Sequence, residues 1–226
     1  MLLALKSLAS LVISFLIFAL ALFLPAGTIA WPAGWIFLIL VYGASCIGIA
    51  LLFKYNPGLL QERMSFSYPN QKIWDKVFTP FYYLLCLAWT VLIPLDAVRF
   101  HWSHMPLVLQ IIGAILLVSS FPLMALTFRE NSFLSSAVRI QQDRGQTVIS
   151  TGPYHYVRHP LYAGAIPFFL GTPLLLGSWY GLLFALVMIA GMGMRAVMEE
   201  RMLREELPGY DAYMAQVKYR LVPYVW

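Results

Sequence analysis

Charge is what this sequence has least of. Of its 226 residues only 11% are charged against 61% hydrophobic, and mean hydropathy is +0.74. No Asp, Glu, Lys or Arg occurs within residues 7–53, 77–95, 100–128 or 159–194. Such a composition excludes an ordinary soluble domain, because these runs would have nowhere to bury themselves in water. Cysteine is nearly absent too. Cys46 and Cys86 both lie in apolar runs far apart, and read as small packing residues, not as a disulfide or redox pair. No basic run is interleaved with aromatics, so the net charge of +5 does not point to nucleic acid. Internal repeats and low-complexity segments are missing as well.

What is there is membrane-spanning helix. A span needs about 20 apolar residues, so residues 7–53 must hold two, turning at the Pro25, Gly27, Pro32, Gly34 cluster. The run 159–194 holds two shorter ones, breaking near Gly177 and Ser178. Six helices are predicted, at about 8–26, 31–53, 78–97, 105–128, 160–176 and 179–198. Lys6 and an apolar run ending near Ala26 fit a removable signal peptide weakly. The next span begins at once, so an ordinary first helix is expected.

The basic residues give the orientation. On one side fall Lys6, four in the second connection (Lys54, Arg63, Lys72, Lys76), four in the fourth (Arg129, Arg139, Arg144, Arg158) and five in the tail (Arg195, Arg201, Arg204, Lys218, Arg220). Arg99 stands alone on the other side, a split of 14 to 1. Both termini and these connections are therefore expected in the cytoplasm, facing anionic headgroups. The expected fold is all-α and integral to the membrane, with four N-terminal spans in 1–128 and a chemically active region in 129–226.

Three segments leave the bilayer on that side. Residues 54–76 are mixed in charge and carry turns at Asn56-Pro57-Gly58 and Tyr68-Pro69-Asn70; they read as a connector with an interfacial piece, without catalytic spacing. Alternation on both sides of Asp143-Arg144-Gly145 predicts a β-hairpin over 138–149. The tail breaks at Pro208-Gly209 and resumes as an amphipathic helix with Tyr210, Tyr213, Met214 and Val217 on one face.

The polar chemistry concentrates at "TGPYHYVRHPLYAG", residues 151–164, and at the Glu199-Glu200 pair. The last two helices form a hairpin and must be antiparallel, so Arg158–Tyr162 and Arg195–Glu200 should meet in space. Pro160 suits the first turn of a helix, whose free N–H groups attract an anion such as a carboxylate. Glu199 and Glu200 offer negative charge for an amine or another cation. Tyr154, Tyr156 and Tyr162 offer ring faces for a flat heterocycle or a cation. Taken singly, each has a blander reading. Arg158 and His159 could snorkel at headgroups, the tyrosines could form an interfacial belt, and the glutamates could open a solvated tail. His155 and His159 share metal-pair spacing, but Pro160 starts the helix after them and a third ligand is lacking. His101 and His104 read as interfacial. Gly191 and Gly193 in "GMGM" have no preceding strand and read as close helix packing, not a dinucleotide fingerprint. A ligand with carboxylate, amine, cationic centre and aromatic base would use the whole set. S-adenosylmethionine is one.

Arg158-His159-Pro160-x-Tyr162 with the downstream Glu199-Glu200 and the spaced Leu, Tyr and Val-Pro of the tail resembles the isoprenylcysteine carboxyl methyltransferase family. Its wider superfamily includes phospholipid N-methyltransferases and, more distantly, sterol reductases. The resemblance covers about 138–223. It implies a cytoplasmic S-adenosylmethionine site formed by the last helical hairpin and the C-terminal helix. Gln141, Gln146, Thr147, Val148, Ile149, Tyr154, His159, Pro160, Leu161, Tyr162 and Glu199 match its cofactor contacts. Arg195 matches an arginine placed toward the methyl acceptor. Leu207-Pro208-Gly209 departs from the family's aromatic-Gly pair.

The implied reaction is methyl transfer to a lipophilic or small acceptor, in which Arg195, Glu199 and Glu200 are the candidate catalytic residues. A carboxylate acceptor needs no base and could be oriented by Arg195. A thiol or amine needs one, from Glu199, Glu200 or His159. The lipophilic acceptor would enter from the bilayer. Two alternatives stand beside this reading. One is a sterol-reductase-like NADPH enzyme, for which an arginine cluster near Tyr154 is missing. The other is a scaffold or transporter, for which mid-bilayer charge and matched halves are missing. No metal is expected.

Overall fold

In a computed structural model describing residues 2–65 and 68–226, every regular element among those residues is helical and none is a strand. The chain runs α1 (Leu2–Ala26), α2 (Pro32–Tyr55), α3 (Pro57–Arg63), α4 (Ile73–Pro94), a π-helical turn (Leu95–Arg99), α5 (Leu107–Glu130), α6 (Pro160–Leu176), α7 (Trp179–Glu206) and α8 (Tyr210–Gln216). Short 3-10 turns occupy Gln142–Arg144 and Gly152–His155. Five elements are long and apolar enough to span a bilayer: α1, α2, α4 with its π turn, α5 and α7. Their outward residues, Leu16, Leu20, Ile39 and Ile115 among them, are exposed hydrocarbon, as a lipid-facing surface requires. This is an all-α membrane protein.

The predicted fifth span, α6, differs. It has 17 residues, a rise of about 25 Å against a hydrocarbon core of about 30 Å. Its Gly164, Ala165, Phe169, Gly171 and Leu175 are buried, so it sits within the bundle. Closest packing is between α5 and α6. A Cβ on Gly171 would lie 2.6 Å from the carbonyl oxygen of Gly113 and equally near the Leu117 nitrogen, while one on Gly113 would collide with the Leu175 backbone. Glycine at both places lets the two backbones touch.

The hairpin turn falls where expected. Gly177 adopts φ 87° and closes α6, and the Ser178 hydroxyl accepts the Gly181 N–H (2.8 Å) to cap α7. At this same end of the bundle Asp96 is fully buried. Its carboxylate accepts hydrogen bonds from the Ser103 and Ser178 hydroxyls and the Tyr180 N–H, pinning the π turn to the α6–α7 connection.

Outside the apolar helices lies a second core of Val138, Ile140, Tyr154, Met202, Leu207, Tyr210, Tyr213 and Val217. Here α8 follows the break at Gly209 (φ 87°) and buries Tyr210 and Tyr213, as the amphipathic pattern predicts. The β-hairpin predicted for 138–149 does not form. The Gln141 N–H donates to the Gln146 side chain (2.8 Å), Gly145 turns at φ 62°, and the Val138 N–H donates to Asp75 (2.8 Å). Backbone groups that a ladder would pair are taken by side chains and by the start of α4, so alternation survives without a strand. The 54–76 connector folds partly as α3, and Asn70 takes the positive φ of the expected turn. Its Phe66 and Ser67 lie outside the described residues.

Candidate functional site

The start of α6 is built from both directions in sequence. Gly152 turns at φ 57° against the Glu130 side chain, and the Thr151 hydroxyl donates to Glu130 (2.9 Å), so the chain folds tightly off the end of α5. Pro160 then opens the helix without needing an N–H acceptor. The N–H groups of Arg158 and His159 donate to the carbonyls of Tyr219 and Arg220 in the tail (2.9 Å each). The anion-binding N–H groups expected at this helix start therefore reduce to those of Leu161 and Tyr162, which have no backbone acceptor among the described residues.

The two halves of the polar cluster meet. The Tyr162 hydroxyl donates to Glu199 Oε2 (2.9 Å) and accepts from Arg195 Nη1 (3.1 Å). Its ring stacks on His159 with planes 9° apart and centroids 5.5 Å apart. Arg195 is held further by Asp75 Oδ1 (3.0 Å from Nε) and the Ser136 carbonyl (2.9 Å from Nη2). Glu199 forms no ion pair among the described residues.

Glu200 belongs to a separate cluster. It is 2% exposed, and receives Arg158 Nε at 2.6 Å and Arg220 Nε at 2.7 Å. His159 Nε2 stands 3.3 Å away, without hydrogen-bonding geometry. Arg158 also donates to the Val217 and Lys218 carbonyls (2.8 Å each). These pairs join α6, α7 and the tail.

Two cavities adjoin these groups. The first, of about 200 Å³, is polar. Gln146, Thr147, Val148, Ile149, Tyr154, His159, Pro160, Leu161, Tyr162, Arg195 and Glu199 all line it; Gln141 and Glu200 do not. Gln141 is buried, donates to the Phe133 carbonyl and accepts from Arg144 (2.6 Å), which makes it a brace for the loop behind the wall. The second, of about 340 Å³, lies deeper between α4, α5, α6 and α7 and is faced by Phe78, Tyr82, Met124, Phe168, Phe169 and Met192. Arg63, Tyr83, Ser136, Leu161, Tyr162 and Arg195 line both.

The aromatic wall of the polar cavity is neutral and fixed. Burial pushes the phenols of Tyr154, Tyr210 and Tyr213 above their ordinary range. Asn131 Nδ2 donates to the Tyr154 hydroxyl (2.8 Å), and the Tyr213 hydroxyl donates to the Tyr154 carbonyl (2.7 Å). Two buried polar atoms in this wall form no hydrogen bond among the described residues, the Tyr210 hydroxyl and His159 Nε2, the latter beside Glu200. Native interiors seldom leave such atoms unsatisfied. With an unpaired carboxylate, free helix-start N–H groups and ring faces, they suit a ligand bearing a cation, an anion and a polar heterocycle.

Residues 102–208 match the family model described as phospholipid methyltransferase. This region is similar to that family. Among curated proteins none matches the chain. The family supports a membrane methyltransferase, and the matched region supplies Asn131, Gln146–Ile149, Tyr154, His159–Tyr162, Arg195 and Glu199 to the polar cavity. Other parts of the wall come from outside it: Arg63 and Tyr83 before, Tyr210 and Tyr213 after. In the sequence both tail tyrosines read only as a packing face and Arg63 only as a basic residue of the second connection, while Tyr83, Asn131, Ser136 and Asp75 are not singled out. Asp75 carried a signal. It is the only acid between Glu62 and Asp96, at the mouth of an apolar helix.

Proposed function

We propose that the protein is an S-adenosylmethionine-dependent methyltransferase of the isoprenylcysteine carboxyl methyltransferase type, acting on a lipophilic acceptor. The observation that carries this reading is the junction of a polar and an apolar cavity at Tyr162 and Arg195. A polar cofactor and a hydrocarbon acceptor have opposite solvent needs, and this junction lets each meet the other without leaving its own medium.

Glu199 would hold the cofactor's amine or other cationic centre, the Leu161 and Tyr162 N–H groups its carboxylate, and the tyrosine rings with the Gln146–Ile149 segment its base. When bound, S-adenosylmethionine supplies an electrophilic methyl group. The chain's own task is alignment and exclusion of water. Three guanidinium N–H groups of Arg195 are engaged by protein, so up to two remain to orient an anionic acceptor. For an acceptor that must lose a proton, Glu199 and His159 are the bases facing the cavity; Glu200 is shut away between arginines. The basic face of the bundle, which carries this site, would lie in the cytoplasm.

Thermal unfolding of the detergent-purified protein with S-adenosylmethionine, S-adenosylhomocysteine or NADPH tests the class. Ligand at a hundred times its dissociation constant stabilises by about 2.7 kcal/mol. The expected result is stabilisation by both adenosyl-sulfur compounds and its loss in Glu199→Ala. Stabilisation by NADPH alone would turn the reading to a reductase, and no response to any of the three would leave a scaffold or transporter.

A further inference from the structure

Asp75 accepts four hydrogen bonds and lies outside the groups assigned a role so far. It is fully buried at the first turn of α4, outside the matched region. It accepts from Gln71 Nε2 (2.9 Å), the Thr79 hydroxyl (3.0 Å), the Val138 N–H (2.8 Å) and Arg195 Nε (3.0 Å). From Arg195 the connection continues to the Tyr162 hydroxyl and from there to Glu199. We infer that Asp75 is a positioning residue for the cofactor cavity, the counter-charge that holds Arg195 away from Glu199 so that the Glu199 carboxylate stays available to a cationic ligand.

The argument is electrostatic. Arg195 and Glu199 are four residues apart on one helix face, the spacing at which opposite charges pair. In the folded chain they do not pair directly, and Tyr162 stands between them, hydrogen-bonded to each. Asp75 supplies the stronger competitor. Its carboxylate is buried and already fixed by three other donors, so it need not be reorganised to receive the guanidinium. With that charge removed, Arg195 has one acid left within reach, Glu199. Pairing there would neutralise the one carboxylate among the described residues that faces the cavity without an ion pair, and take the Tyr162 hydroxyl out of register.

This inference rests on the cofactor reading above, and its test separates the two. Binding of S-adenosylhomocysteine, which carries the amino cation, is measured by calorimetry for wild type, Asp75→Asn, Glu199→Gln and the double variant, without any acceptor. The expected result is about tenfold weaker binding in Asp75→Asn. In the Glu199→Gln background the same change should have no further effect, since the carboxylate that Asp75 protects is gone. Arg195→Lys, which cannot bridge Asp75 and Tyr162 as a fork, should match Asp75→Asn and serves if that variant fails to fold. Equal binding by wild type and Asp75→Asn overturns the inference alone, as does a loss that multiplies with Glu199→Gln, the mark of general damage. No binding by folded wild type overturns the cofactor reading and the inference with it.

Discussion

Tyr162 and Glu199 stand 37 positions apart in sequence and share a hydrogen bond of 2.9 Å. That bond is where the hairpin closes and where the polar cavity acquires its free carboxylate. The phenol fixes one oxygen of Glu199 and leaves the other to the cavity.

Tyr162→Phe keeps the ring on His159 and deletes this bond. Removing a hydrogen bond to a charged group costs about 1.5 kcal/mol, which is about tenfold in affinity. Calorimetric titration with S-adenosylhomocysteine should show a loss of that order, with the melting temperature lowered by only a few degrees. A variant that binds as wild type would detach Tyr162 from the cofactor cavity.

Glu200→Ala should behave the opposite way. It strands Arg158, 7% exposed, among groups that cannot replace a carboxylate. Breaking a buried ion pair costs about 3–5 kcal/mol. The melting temperature should drop by roughly 10 °C, while ligand affinity, measured where the variant is folded, stays within about twofold because Glu200 does not face the cavity.

Tyr210 and Tyr213 separate by their hydroxyls. Tyr210's is buried without a partner among the described residues, so Tyr210→Phe should leave the unliganded protein as stable or more stable. A simultaneous loss of ligand affinity would show that the ligand is the missing partner. Tyr213 concerns alkaline stability. Burial raises its folded phenol above the ordinary value near 10, so its contribution is complete below about pH 10. Above that the unfolded chain ionises first and stability falls. Tyr213→Phe should make this alkaline decline shallower in denaturant titrations at pH 9 to 11.

Ala165→Phe adds a ring to the apolar cavity. Methyl transfer to long-chain acceptors should fall by at least tenfold, and S-adenosylhomocysteine binding should not change. Equal loss of both would mean that the two cavities act as one.

Reporter fusions at the N- and C-termini are expected to register the cytoplasm at both ends, the side to which the 14 to 1 split of basic residues points. Opposite locations would add or remove a crossing.

The hydrophobic runs made the bundle legible because length and charge alone decide a span. The turns at Gly27, Gly177 and Gly209 were readable for a similar reason, since each needs the left-handed conformation where the apolar pattern stops. The pairing of Tyr162 with Arg195 and Glu199 followed from antiparallel topology. Depth did not follow. That α6 lies inside the bundle at 17 residues depends on Gly113 and Gly171 meeting across two helices, and no local pattern couples them. Glu199 and Glu200 are neighbours of identical chemistry; only a helical rotation of about 100° assigns one to the cavity and the other to Arg158 and Arg220. Asp75 is visible as a lone acid at a helix mouth, but its link to the site is not, because Val138 and Arg195 lie 63 and 120 positions downstream.

The contact of Gly113 with Gly171 has a mechanical meaning. Where backbones rest on each other there is no side chain to flex, so α5 and α6 are joined as one stiff plate. The entry of α6, with His159 and Tyr162, sits at one end of that plate, about two and a half helical turns from the fulcrum. A single methyl group at Gly171 would therefore act as a wedge under a lever, swinging the cavity's rim while touching none of its residues.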